Sequence, residues 1–224
     1  MRELALSRPG DPRDQLAALR LEERYFAAAV RAGEEARRSA TRNDPKNAPG
    51  TLDYFARMRT LREVLILEEG WRRLDHNQSP LIVNPERTMA IGVLLGDART
   101  GIPGNPQPRS KRPTGASKVD LVTRNQELAL FPAPRPPMAD DEVHVEDDEF
   151  ARMATWFLLT FRYEGQEPGK VKVRSELSRA ESVGNHSRID RWQQRIMLPT
   201  LEFESVVDYS DEGVSDIDVS VEER

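Results

Sequence analysis

From Asp11 onward, Leu16, Leu19, Phe26 and Val30 return on one helical face, and Leu21, Tyr25, Ala28, Ala32 and Ala36 return on a second. Asp11 stands as an N-cap before Pro12, so the spacing predicts a helix that runs to the breaker-rich stretch "NDPKNAPG". A helix with two apolar faces packs against neighbours on both sides. Thr51 is placed to cap a second helix through Leu74, with a seam at Tyr54, Met58, Leu61 and Leu65 and i,i+4 pairs Glu68–Arg72 and Glu69–Arg73. The two helices are expected to form an antiparallel hairpin. Met89–Leu95 is apolar all round and therefore buried. A buried strand would suit that length, but Asn84 and Pro85 supply helix-start chemistry, so a short third helix is expected. Residues 1–98 then form a three-helix unit.

The pattern changes at Arg99. "RTGIPGNPQPRSKRPTGASK" has five basic residues, no acid and little to bury, so it is expected to be an extended, mobile arm. Its cations (Arg99, Arg109, Lys111, Arg112 and Lys118) suit phosphate contacts or simply a solvated linker. Residues 140–149 hold seven acids and no Lys or Arg, an acidic linker in which His144 lacks calcium-loop spacing. The whole of 99–150 is a Pro-rich connector, basic and then acidic.

Beyond the connector the period falls to two. In "TWFLLTFRYEG", Phe157, Leu159, Phe161 and Tyr163 alternate with Trp156, Leu158 and Thr160, which predicts a strand buried on both faces. Val171, Val173 and Leu177 alternate with charged residues after the turn "EGQEPGK", and further strands are expected in "IDRWQQRIMLP", "TLEFESVVDYS" and "VSDIDVSVEER". Residues 151–224 should form an antiparallel meander. The predicted class is α+β, with the meander leaning on the helices because so short a segment buries only a modest core.

Composition limits the chemistry. The 224 residues contain no Cys, which removes disulfides, thiolate zinc sites and cysteine nucleophiles. Neither a signal-peptide pattern nor a membrane-length apolar run is present, so a cytoplasmic protein without membrane contact is expected. Residues 1–119 carry 21 Lys and Arg against 15 Asp and Glu, whereas residues 120–224 carry 12 against 23. A basic first half suits a polyanionic partner or attraction between the halves. Arg20, Arg24, Arg31 and Arg38 lie on one stripe of the first helix, so Arg24 and Arg31 join the candidate phosphate contacts, although Glu34 and Glu35 lie alongside.

The segment Gln126-Glu-Leu-Ala-Leu-Phe131 resembles the short linear motifs that dock bacterial proteins onto the replication sliding clamp. That resemblance implies a peptide laying Leu128, Leu130 and Phe131 into an apolar groove while Gln126 hydrogen-bonds at the rim. Glu127 stands where those motifs more commonly have Leu. A short strand docked on the protein's own sheet is the other reading of this stretch.

No catalytic constellation emerges. "GDARTGIPG" has the glycine spacing of a phosphate loop, but Ile102 and Pro103 replace the required Lys and Ser/Thr. His76, His144 and His186 share no ligand spacing, and nothing calls for a metal or cofactor. The sequence therefore points to a non-enzymatic accessory protein that presents its connector to a protein partner, with nucleic acid as a partner of the basic arm. Two alternatives are an enzyme with scattered residues, Asp97, His76 and Glu69 being the first suspects, and a structural subunit of a larger assembly.

Overall fold

The computed structural model describes residues 10–77, 79–130 and 153–205. Three helices, α1 (Pro12–Ala18), α2 (Glu23–Arg38) and α3 (Ala48–Glu69), precede three strands, β1 (Arg72–His76), β2 (Ser79–Val83) and β3 (Met89–Leu95). After α4 (Ala116–Leu130) come β4 (Ala154–Glu164), β5 (Lys170–Val183) and β6 (Ile189–Glu204). The α+β class stands. All six strands form one sheet in the order β1-β2-β3-β4-β5-β6. Four of the five pairings are antiparallel, but β3 and β4 run parallel, with Met89 opposite Ala154 and Leu95 opposite Thr160. A parallel pair needs a crossover, and α4 lies within it.

Met89–Leu95 is thus a strand, not the expected third helix. It is apolar all round because it lies inside the sheet between two covering layers. Met89, Ile91 and Val93 join the core under α1, α2 and α3, while Ala90 and Leu94 face α4. Gly92 shares the α4 side, where a Cβ would crowd Leu81 and Phe157. Asn84 performs its capping on a turn: its Oδ1 accepts from the Thr88 and Met89 amides, each at 2.8 Å. The expected meander is corrected by the same finding, since residues 72–95 and 154–204 share one sheet and contribute to the packing on both of its faces.

The first helix is also interrupted. Arg20 adopts φ 56°, Arg20 N–H donates to Ala17 O, and Leu21 N–H donates to Leu16 O. This is a Schellman ending with arginine in the position glycine usually takes. It lets Leu16 and Leu21, both buried, reach the same core. α2 and α3 do pair antiparallel: Tyr25 bonds Glu69 at one end, and Gly33 sits against Asp53 and Arg57 at the other. α3 ends at Glu69 with Gly70 at φ 66°, so the expected Glu68–Arg72 and Glu69–Arg73 helical pairs do not form. Glu68 pairs with Arg24 instead.

β4 is the expected two-faced strand, with Trp156 and Leu158 toward the α1–α3 layer and Phe157 and Leu159 toward α4. β6 is one long edge strand rather than two. It tolerates Pro199 because the register slips there: Val173 faces Leu201, but Ser175 faces Leu198.

The basic arm is not extended and loose. Residues 97–115 lie against β5 and β6, held by polar bonds rather than apolar burial. Gly96 and Ser110 form a bridge, Ser110 N–H donates to Ile189 O at 2.8 Å, and Lys111 N–H donates to Leu95 O at 2.8 Å. Trp192 Nε1–H donates to Pro108 O at 2.8 Å. The acidic block 140–149 and the expected strand 214–224 lie outside the described residues.

Candidate functional site

The titratable groups that first invited an enzymatic reading stand apart. Glu69 accepts from the Tyr25 hydroxyl, and Asp97 Oδ1 accepts from the Arg99 amide at 3.0 Å in a turn. His76 Nε2 lies 3.3 Å from Asp120 Oδ2 at the start of α4. None of the three lines either cavity described below. Among the described residues no group of three His, Asp or Glu is placed to hold a metal ion.

Two buried ion clusters hold layers together. Arg57 reaches Asp53 Oδ1 at 2.5 Å and Glu34 Oε1 at 3.5 Å, with all three side chains at most 4% exposed. Burial pushes the Asp53 carboxyl up and the Arg57 guanidinium down from their ordinary values, and the pairing opposes both shifts. On the other side of the sheet, Glu176 accepts from Arg195 Nη2 at 2.6 Å and from the Gly101 amide at 2.7 Å. Arg195 also donates to Ile102 O at 2.9 Å. This cluster clamps the 97–104 turn onto β5 and β6. Neither cluster lines the two cavities described below, and each ties one element to another.

The larger concave surface runs between α3 and the edge strand β1. Met58, Leu61 and Leu65 of α3 go into the core, as their seam predicts. Phe55, Ile66 and Leu67 fall off that seam, and Phe55 and Leu67 stay 55% and 83% exposed. Arg62 spans the floor, donating to Leu81 O and Leu74 O, each at 3.0 Å, and to Asp75 at 2.5 Å. The result is a groove of 820 Å³ with apolar walls from Tyr54, Phe55, Ile66 and Leu67. Arg59, Glu63 and Arg73 also line it, and neither guanidinium has a side-chain hydrogen bond or ion pair among the described residues.

A second cleft, of 560 Å³, lies where the 107–114 segment meets the β5–β6 turn. Arg109, Pro113, His186, Arg188 and Asp190 line it. The turn is unusual, since His186 and Ser187 both take left-handed φ, at 61° and 55°. Thr114 fixes it by donating from both its amide and its hydroxyl to Ser187 O, each at 2.6 Å.

The cations expected in one mobile arm are therefore dispersed. Arg109 enters the second cleft, and Lys111 and Arg112 are exposed beside it. Arg99 is exposed in the 97–101 turn. Lys118 lies on α4 over the Tyr54 ring, 5.8 Å from its centroid, and burial lowers its pKa. Of the α2 stripe, Arg24 pairs with Glu22 and Glu68, whereas Arg31 is exposed with no ion pair among the described residues. Gln126 is exposed on α4, next to the buried Asn125. Helix α4 continues through Leu130, so a clamp-type peptide would require its last turn to unwind. The side chains of Leu128 and Leu130, and the whole of Phe131, lie outside the described residues.

Sequence reasoning passed over the groove although its signal was present: Phe55, Ile66 and Leu67 are apolar positions that the helical seam leaves unassigned. The cleft had no such signal, because Arg109 and Arg188 come together only where Ser110 N–H bonds Ile189 O. No family model, no curated protein and no solved structure matches the chain. No described helix is long and apolar enough to cross a membrane.

Proposed function

We propose that this chain is a non-enzymatic interaction protein that docks a protein partner along the α3–β1 groove. The observation that carries the reading is the exposure of Phe55 and Leu67, 55% and 83%, on the wall of a groove of 820 Å³. Large apolar side chains gathered beside a groove are a common mark of partner binding. The unbonded guanidinium groups of Arg59 and Arg73 set the chemistry of the occupant. It is a segment with two or three apolar anchors and flanking carboxylates, laid along α3 as a helix is laid in a groove. The charged edge of β1, with Arg72, Arg73 and Asp75, disfavours simple strand addition there.

A photocrosslinker at position 55 of the full chain tests this in extracts of the native host. The expected adduct is one partner segment, apolar with acidic flanks, and its yield collapses in the Arg59→Glu, Arg73→Glu double variant. Adducts confined to residues 131–152 of this chain, or to a second copy of it, refute the reading. So does a yield that the double variant leaves unchanged.

A further inference from the structure

The cleft at the β5–β6 turn offers chemistry that the groove does not, and it is independent of the partner reading. We propose that it binds the phosphate group of a nucleotide-sized ligand through Arg109 and Arg188.

Elsewhere the fold commits guanidinium groups to protein oxygens. Arg62 and Arg195 each have several of their donors bonded to protein oxygens at 3.0 Å or less. Arg109 has no side-chain bond among the described residues. Arg188 has one, from Nη1 to Ser110 O at 3.4 Å, long for an N–H···O bond. Two planar donor forks thus line one cavity with nearly all their hydrogens uncommitted. Guanidinium forks match the oxygens of a phosphate, and such charge-assisted bonds are the strong ones.

The cleft is also held rigid. Both walls are tied together before any ligand arrives. Ser110 N–H donates to Ile189 O at 2.8 Å, Ser110 Oγ accepts from the Ile189 amide at 3.2 Å, and Thr114 donates twice to Ser187 O. Two successive non-glycine residues in left-handed conformation, His186 and Ser187, sit in the turn between them. Backbone strain of this kind clusters at ligand clamps, and a preformed site binds without an ordering cost. The volume, 560 Å³, falls within the roughly 300–1,000 Å³ of small-ligand sites.

The rest of the lining narrows the ligand. Asp190 also lines the cleft, and its carboxylate lies so close to Gly184 that a Cβ there would collide with it. A bare anion gains nothing from this carboxylate. A ligand that carries hydroxyl or amino donors beside its phosphate can bond to it, and Pro113 with the His186 ring offers a flat apolar contact. A nucleoside monophosphate has all three features.

Calorimetric titration of the full chain with adenosine monophosphate, inorganic phosphate, adenosine and a single-stranded oligonucleotide tests the assignment. Saturable binding of the monophosphate is expected, with phosphate competing and adenosine failing to bind. Arg109→Gln weakens binding roughly tenfold or more, the worth of one charge-assisted contact. Arg109 is exposed and unbonded, so this variant keeps the wild-type thermal midpoint, and Arg188→Gln serves as the second variant. Absence of saturation by both phosphate-bearing small ligands overturns the proposal, as does an affinity that Arg109→Gln leaves unchanged. Oligonucleotide binding with a steep salt dependence and no monophosphate binding also overturns it, in favour of a polynucleotide surface.

Discussion

Replacing Asn125 by alanine tests the account of how α4 is held to the sheet. The β4–β5 ladder pairs Trp156 with Arg179 and goes no further, so Thr155 and Ala180 form the next position. There the Asn125 amide stands in for the missing rung. It donates to Thr155 O and Ala180 O, each at 2.8 Å, and accepts from Thr155 N–H at 2.7 Å. Asn125 is 2% exposed, so no water replaces it easily. The alanine variant leaves three buried backbone groups unpaired, at about 1–3 kcal/mol each. The strands can close part of the gap, so the expected loss lies near the lower end of that sum, about 3 kcal/mol. Urea unfolding measures it. With a slope of roughly 2 kcal/mol/M, the midpoint should fall by about 1.5 M at unchanged slope. Gln126→Ala, one residue along and exposed, should stay within about 0.5 kcal/mol of wild type. A loss below about 1 kcal/mol for Asn125→Ala would refute the bridging role.

Glu176→Gln should cost about 3 kcal/mol, because it leaves the Arg195 guanidinium, 9% exposed, without its buried counter-charge. Hydrogen exchange at the Gly101 amide should speed up in that variant, and wild-type protection there would contradict the clamp. Lys118→Met should raise stability at neutral pH. Burial lowers the lysine's pKa below 10.5, so its contribution is full above 10.5 and is lost as pH falls through the folded value. The gain from methionine should therefore shrink as unfolding is measured closer to pH 10.5, and a gain independent of pH would contradict this.

Legibility followed the range of the interactions. The seam Met58–Leu61–Leu65 and the alternation of β4 depend on neighbours a few residues away, and both were readable. Met89–Leu95 was not, because a run buried on both faces loses the alternation that marks a strand. The layers that cover it, α1–α3 and α4, are distant in sequence. Arg20 hid a helix end, since the Schellman position carried none of the usual glycine. The 97–115 segment misled for a different reason. Judged by its apolar content it had nothing to hold it, yet Glu176, Ser187, Ile189, Trp192 and Arg195 bind it through backbone and charged groups. Low hydrophobicity signals disorder only when no distant strand offers polar partners, and a single sequence does not display those partners.

The arginine-rich composition says little as a whole, and the place of each guanidinium in the fold says more. A chain with 33 Lys and Arg against 38 Asp and Glu has enough carboxylates to pair every cation. Where pairing helps packing, it occurs: Arg57 inside the α2–α3 layer, Arg62 from α3 to the β1–β2 hairpin, and Arg195 from β6 to the 97–104 turn. Arg59, Arg73 and Arg109 lack any such bond among the described residues, and they line the two concave surfaces. Arg31, Arg72, Arg99 and Arg112 also lack side-chain partners among the described residues and line neither surface, so a missing bond marks a candidate only where a concavity accompanies it. Unbonded guanidinium groups beside exposed apolar walls in one concavity, and beside a strained, tied turn in the other, are what support the proposed partner groove and phosphate cleft. The two surfaces differ in chemistry, so loss of partner capture and loss of phosphate binding should separate cleanly between Arg59/Arg73 and Arg109/Arg188 variants.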